Sequence, residues 1–260
     1  MKDPQSSAPR ESSARTPQIS VCMATCNGAQ YVGEQMDSIL EQLGPFDEVV
    51  VVDDASTDDT VARLHALGDP RVCVFESAEN RGYVRSFEES LGHARGQFIL
   101  LSDQDDFWAP GRVRAIVGAL ERADVVATNL GTLGGPNRIP GPYGQSDWRL
   151  RERDSGRNLR NIVAILMGNR PYYGCAMGMR RAALDRILPF PDFLDESHDL
   201  WVALYGNITR SVVHLDIRSV QRRFHGGNAT PERPRGPLQV ARSRAMLLRS
   251  VVELRRRTRR

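Results

Sequence analysis

Along the chain, short and mainly apolar runs that show no apolar–polar alternation are interleaved with longer stretches in which apolar residues recur every three or four positions. Residues 19–24, 48–52, 72–75 and 98–101 are runs of the first kind, rich in Val and Ile. Continuous apolar character suits strands of a parallel sheet covered on both faces. Between them, Tyr31, Met36, Ile39, Leu40 and Leu43 make one apolar helical face, closed by Gly44-Pro45. Val61, Leu64 and Leu67 make a second, with Ser56 or Thr57 as its cap, and Asn80-Arg81-Gly82 opens a third carrying Phe87 and Leu91. Val113, Ile116, Val117 and Leu120 predict a fourth after Pro110. This alternation predicts an α/β fold: a mainly parallel sheet with right-handed crossovers and helices on both faces. Further on, the pattern predicts strands over 124–128 and 173–179, helices over 162–167 and 181–188, and two short strands at 211–215 and 218–224. The Gly- and Pro-rich segment 131–156 has no period, and loops of that length in compact domains are functional lids or disordered.

The two ends differ from the middle. Residues 1–17 are polar and aperiodic and are expected to be disordered; residues 18–230 read as one α/β domain; residues 231–260 read as a basic amphipathic helix. In that helix Val240, Leu247, Leu248, Val251 and Leu254 share a face among Arg242, Arg244, Arg249, Arg255, Arg256 and Arg257. Such a helix either lies on an anionic membrane surface or packs on its own domain. A net charge of +3 makes no case for nucleic acid. No apolar run approaches the ~20 residues that cross a bilayer, and the amino terminus lacks the apolar core of a signal peptide. The four cysteines fit neither a disulfide framework nor a zinc spacing. Reduced thiols in a cytoplasmic protein are expected, with peripheral contact at the inner membrane face if the basic helix binds lipid.

The candidate chemistry lies where strands end. The run 98–101 stops at Ser102-Asp103-Gln104-Asp105-Asp106, which holds three carboxylates within four residues. The run 48–52 stops at Asp53-Asp54, and the first at Thr25-Cys26-Asn27-Gly28. Parallel neighbours would bring all three endings to one sheet edge, the usual ligand position in open α/β folds. No G-x-G-x-x-G or Walker loop is present. Carboxylates bind ribose hydroxyls, base donors or a divalent ion that bridges to phosphates, so the edge suits a nucleotide diphosphate with a metal. The bland alternatives are solvated acidic turns and helix caps: Asp53, Ser56 and Asp58 as caps, Glu196 and Asp199 as first-turn acids favoured by the helix dipole.

Four ordered motifs carry a family resemblance: Met23-Ala24-Thr25-Cys26-Asn27-Gly28, residues 51–60 (VVDDASTDDT), Asn80-Arg81-Gly82, and residues 102–108 (SDQDDFW). Together they resemble family 2 glycosyltransferases with the GT-A fold, over about residues 19–228. Residues 102–108 and 223–228 are most similar to a bacterial rhamnosyltransferase-like branch that glycosylates cell-surface polysaccharides. The resemblance implies that Thr25, Asn27 and Asp54 hold the base and ribose, with Asp103 also near the ribose. It implies that Asp105, closing the D-x-D element, holds Mg²⁺ or Mn²⁺ on the diphosphate, with His225 near the metal. Arg81 and Gly82 would lie beside the nucleotide sugar. Cys26 stands where the family usually has an aromatic that stacks on the base. The family's late acid pair reads His198-Asp199 here, so Asp199 is the implied catalytic base, with Glu196 in reserve.

The implied reaction is an inverting transfer from a nucleotide-diphosphate sugar, dTDP-rhamnose among the donors, to a saccharide or lipid-linked acceptor. Two rivals are a nucleotidyltransferase, which normally wants a basic glycine-rich loop after the first strand, and a catalytically degenerate relative serving in binding or assembly.

Overall fold

The structure, a computed structural model, describes residues 17–223 and 236–259. Eight strands form one sheet: β1 (Ile19–Thr25), β2 (Glu48–Asp53), β3 (Val72–Glu76), β4 (Phe98–Ser102), β5 (Phe107–Trp108), β6 (Val125–Thr132), β7 (Met177–Arg180) and β8 (Val212–Arg222), in the order β3-β2-β1-β4-β7-β6-β8-β5. The helices are α1 (Val32–Leu40), α2 (Thr60–Ala66), α3 (Tyr83–His93), α4 (Arg112–Leu120), α5 (Asn158–Leu166), α6 (Leu184–Ile187), α7 (His198–Ile208) and α8 (Pro237–Thr258). β1 pairs in parallel with β2 and β4, and β2 with β3; β7 runs antiparallel between β4 and β6. The expected α/β class and mainly parallel sheet are thus present, with antiparallel pairs in the second half.

Alternate residues of the central strands face two separate cores. Cys22, Ile99, Leu101, Val125 and Ala127 pack on one side with α3, α5, α7 and α8. Val21, Met23, Val49, Val51, Leu100 and Val126 pack on the other with α1, α2 and α4. Both faces being covered explains why these strands read as mainly apolar runs without alternation.

Three expectations change in detail. The two short strands expected at 211–215 and 218–224 are one strand, β8; the break in pattern at Asp216-Ile217 coincides with register shifts of its partner β6 around Asn129. The strand expected over 173–179 begins only at Met177, because Gly174–Ala176 forms a 3-10 turn. Neither Ser56 nor Thr57 caps α2: the Ser56 hydroxyl donates to Asp53 at 2.6 Å, and Asp58 instead accepts from the Thr60 N–H at 3.0 Å. The segment after β6 is irregular, as expected, but tied down: Asn129 accepts from the Leu150 N–H at 2.7 Å, and Arg218 donates to Asp147 at 2.6 Å.

The carboxy-terminal helix resolves its two readings toward packing for most of its apolar face. Met246, Leu247, Val251 and Leu254 are buried against the domain, whereas Val240, Leu248 and Val252 are exposed. The Ser243 hydroxyl meets Glu196, and Arg242 pairs with Asp195 at 2.6 Å. No helix among the described residues is long and apolar enough to cross a membrane. All four cysteines are free thiols.

Candidate active site

The carboxyl ends of β1, β2 and β4 share one edge, and an open cleft of about 540 Å³ lies over it. Thr25, Cys26, Asp54, Gly82, Asp103 and Asp105 line this cleft, joined from the other half of the chain by Tyr173, Cys175, Asp199 and Arg222.

The loops that carry these residues are locked to one another. Thr25 lies opposite Asp53 in the sheet register, and its hydroxyl donates to that carboxylate at 2.7 Å. Asp53 also accepts from the Ser56 N–H at 2.8 Å, so this acid closes the loop and is not among the cleft residues. Asp54, one residue on, does face the cleft. Its two oxygens accept the backbone N–H groups of Arg81 and Gly82, each at 2.8 Å. Gly82 achieves this with φ 84° and ψ 151°, a region essentially reserved for glycine. Gln104 clamps the first loop, accepting from the Cys26 N–H at 2.9 Å and donating to its carbonyl at 3.0 Å. A Cβ on Gly28 would lie 2.2 Å from the Gln104 Oε1, which explains the glycine there.

Asn27 and Arg81, both expected at the nucleotide sugar, do not line the cleft. Asn27 sits at φ 49° and accepts from the Thr57 N–H at 2.8 Å, pinning the β1 and β2 loops together. The Arg81 guanidinium pairs with Glu89 and donates to Ser77 at 3.1 Å, leaving only its backbone N–H on Asp54. Glu196, the reserve acid, turns away to Ser243 of α8. His225 lies outside the described residues.

The acids after β4 are crowded. Ligating atoms of Asp103, Asp106 and Cys175 all lie within 4.8 Å of one another. Burial, reinforced by Asp105, pushes the Asp103 carboxyl up to about 6; burial, reinforced by Asp103 and Asp105, pushes Asp106 up to about 7. The buried Asp106 Oδ2 has no hydrogen-bond partner. An orphaned carboxylate oxygen beside a second carboxylate is a donor set that suits a hard divalent cation. Asp105 lines the same cleft but is not in this cluster, so Asp106 joins the candidate ligands that the D-x-D motif named. Burial keeps the Cys175 thiol protonated, so it is a neighbour of the carboxylates and not a ligand for a hard cation.

Two arginines stand against this negative charge. Arg112 is buried behind the cluster, donating to Ser219 at 2.7 Å and to the Cys175 carbonyl at 2.6 Å, with Trp108 stacked at 4.4 Å. Burial lowers its guanidinium to about 10. Arg222, the last residue of β8, lines the cleft itself and favours the ionised form of both Asp103 and Asp106.

Asp199 stands in the first turn of α7. Burial pushes its carboxyl up to about 6, while N–H donors of Leu200 and Gly174 pull it down and Asp103 adds to the rise. Beside it His198 is buried and stacked on Phe87 at 4.3 Å. Neither ring nitrogen has a partner, and burial lowers the imidazole to about 3, so it is a neutral aromatic wall.

The sequence comparison supplies the family. The glycosyl transferase family 2 model matches residues 20–188. The chain belongs to glycosyl transferase family 2. It is 36% identical over 116 residues to the succinoglycan biosynthesis protein ExoO of Rhizobium meliloti, a match covering 45% of this chain and 32% of that protein. The chain thus spans about a third of the length of that curated relative. Among solved structures, S. aureus TarS 1–349 in complex with UDP-GlcNAc superposes with a TM-score of 0.63 at 18% identity, covering 92% of this chain and 72% of that one. Glucosyl-3-phosphoglycerate synthase from Mycobacterium tuberculosis, with Mn²⁺ and UDP, gives 0.54 at 20% identity, covering 93% and 80%. These superpositions establish the GT-A fold.

Asp199 and Arg222 both lie beyond the matched segment, on α7 and β8. Asp199 was legible from its neighbourhood in sequence. Arg222 and Cys175 were not: an arginine and a cysteine inside segments that read as strands are chemically mute until the sheet brings them to the acids.

Proposed function

We propose that the cleft transfers a sugar from a nucleotide-diphosphate donor to a hydroxyl of a saccharide or lipid-linked acceptor, with inversion at the anomeric carbon. The observation that carries this reading is the meeting of Asp54, the Asp103–Asp106 cluster and Asp199 around one cleft in a family 2 chain. Thr25 and Asp54 lie at the nucleoside end, with Asp103 near the ribose and Gly82 beside the sugar. Asn27 and Arg81 serve indirectly, by holding the loops that present Thr25 and Asp54. Asp103, Asp105 and Asp106 would hold a divalent cation, Mg²⁺ or Mn²⁺; such an ion offsets charge growing on the departing diphosphate. The Mn²⁺ and UDP bound by the mycobacterial synthase support this choice. Arg222 adds a second positive charge facing the same phosphates.

Asp199 is the base. With its carboxyl near 6 it is ionised at neutral pH yet more basic than an ordinary aspartate. It accepts the proton of the acceptor hydroxyl as that oxygen attacks the anomeric carbon, on the face opposite the diphosphate. The neutral His198 and the Tyr173 ring wall this region without competing for the proton. A role in polysaccharide synthesis is supported by the similarity to ExoO, and dTDP-rhamnose as donor by the resemblance of residues 102–108. The outward Arg249 and Arg256 with Leu248 and Val252 of α8 support peripheral contact with an anionic membrane.

The test is sugar transfer from a panel of UDP- and dTDP-sugars. Asp199→Asn is expected to lower kcat by about 10²–10⁴ while leaving donor affinity unchanged. The wild-type rate should climb with pH and level off above about 6, since only the ionised carboxylate acts. An unchanged kcat in the variant would place the base elsewhere.

A further inference from the structure

Outside the acidic cleft, the segment after β6 and helix α5 enclose a second concavity of about 240 Å³, lined by Arg149, Arg151, Arg160 and Arg170 with Trp148 and Asp147. Its charges do not balance. Arg149 is shared between Asp147 at 3.1 Å and Asp216 at 2.9 Å, and Arg218 also pairs with Asp147 at 2.6 Å. Arg157 and Arg170 share Asp154 at 3.2 and 3.5 Å. Among the described residues no carboxylate pairs with Arg151 or Arg160, so six arginines gather around three acids. The Nε of Arg170 and the indole Nε1 of Trp148 are buried without a hydrogen-bond partner. Planar guanidinium donors in a recess match an anion with several acceptor oxygens.

Helix α5 forms the rim. It buries Ile162 and Ile165, and on its outward side Leu159, Val163 and Met167 stand exposed at 71%, 52% and 62%. These three are spaced four residues apart, so they form one stripe. Arg160, Ala164 and Asn169 border both the stripe and the arginine recess, so the apolar surface begins where the cationic one ends. Trp148 then links the recess to the acidic cleft: its ring meets Tyr173 edge-on, with centroids 6.3 Å apart, and Tyr173 lines the cleft with Asp199.

We propose that the recess and stripe bind a lipid with a phosphate or diphosphate headgroup, the carrier end of the acceptor. The phosphate oxygens take the arginine recess, the hydrocarbon chain lies along Leu159, Val163 and Met167, and the attached sugar extends past Trp148 and Tyr173 toward Asp199. Its identity as an acceptor rests on the transfer reading of the acidic cleft; the lipid site itself does not. A concave, partly buried set of donors selects a phosphate terminus that can enter it over charge spread across a flat bilayer.

The test is co-sedimentation of the full chain with phosphatidylcholine vesicles carrying a long-chain polyprenyl diphosphate, without donor or metal. Vesicles with phosphatidylserine at matched charge, and phosphatidylcholine alone, are the comparisons. The polyprenyl diphosphate vesicles should retain the protein far better than either. Arg160→Glu and Val163→Asp, both at exposed positions, should each weaken retention by about tenfold without lowering the melting temperature. Equal retention on phosphatidylserine would overturn the proposal in favour of general anionic contact. Retention indifferent to Val163→Asp but competed by inorganic pyrophosphate would overturn it in favour of a free-anion site. Lipid binding as expected, with no sugar transfer from any donor, would leave the site standing and remove the transfer reading instead.

Discussion

Asp54 accepts two backbone N–H groups, Asp106 keeps an oxygen with no partner, and Asp199 is raised chiefly by burial; three aspartates in one cleft are thereby suited to three tasks. Their neighbour His198 illustrates the opposite case, a titratable group made inert. Its folded value is lowered to about 3, while in the unfolded chain it returns to about 6.5. Only the unfolded state then takes up a proton between these values, so its contribution is present above 6.5 and is lost as pH falls. His198→Phe fills the same aromatic stack without that proton. The variant is expected to match the wild type at pH 7.5 in chemical denaturation and to exceed it by about 2 kcal/mol at pH 5. A difference independent of pH would mean that the imidazole is hydrogen-bonded or charged in the folded state. At this scale, the sequence displayed which acids exist but not which are shared: Asp53 and Asp54 are adjacent and look alike, yet one locks a loop and the other faces the cleft.

The elements explain why. Side chains alternate across a strand, so the last residue of β2 points to Thr25 and the next begins the loop that meets α3. That loop depends on Gly82. Gly82→Ala forces a side chain into φ 84° and should cost about 1–3 kcal/mol in denaturation experiments, with weaker nucleotide binding because Asp54 loses its fixed donors. Unaltered stability and affinity would mean that the loop has another conformation of equal energy. The carboxy-terminal helix offers a second element-scale test. Leu254 is fully buried between α8 and the domain, so Leu254→Ala should cost about 2–5 kcal/mol. A neutral result in denaturation would mean that α8 detaches at little cost, restoring its whole apolar face to a membrane role. Helical periods and apolar runs made the βα half legible almost element by element. The second half was less so, because β8 and β6 lose register around Asn129 and a strand interrupted by Asp216 reads as two.

In the whole molecule, the parallel half brings together the three strand ends that the motifs name, and the antiparallel half adds Cys175, Asp199 and Arg222 from well downstream of the acidic turn. The order of motifs was readable because each marks a strand leaving the sheet. The arginine recess beside Trp148 was not, because its members are scattered through an aperiodic segment, α5 and the turn that follows it. As proposed, the acidic edge would hold a nucleotide diphosphate through a divalent ion, with Asp199 acting separately on the acceptor. Calorimetric titration of UDP and dTDP, with Mn²⁺ and then with a chelator, addresses it most directly. Metal-dependent binding of one nucleotide, abolished in Asp103→Asn and preserved in Asp199→Asn, is expected; a folded protein that binds neither nucleotide with or without Mn²⁺ would rule out this use of the acidic edge.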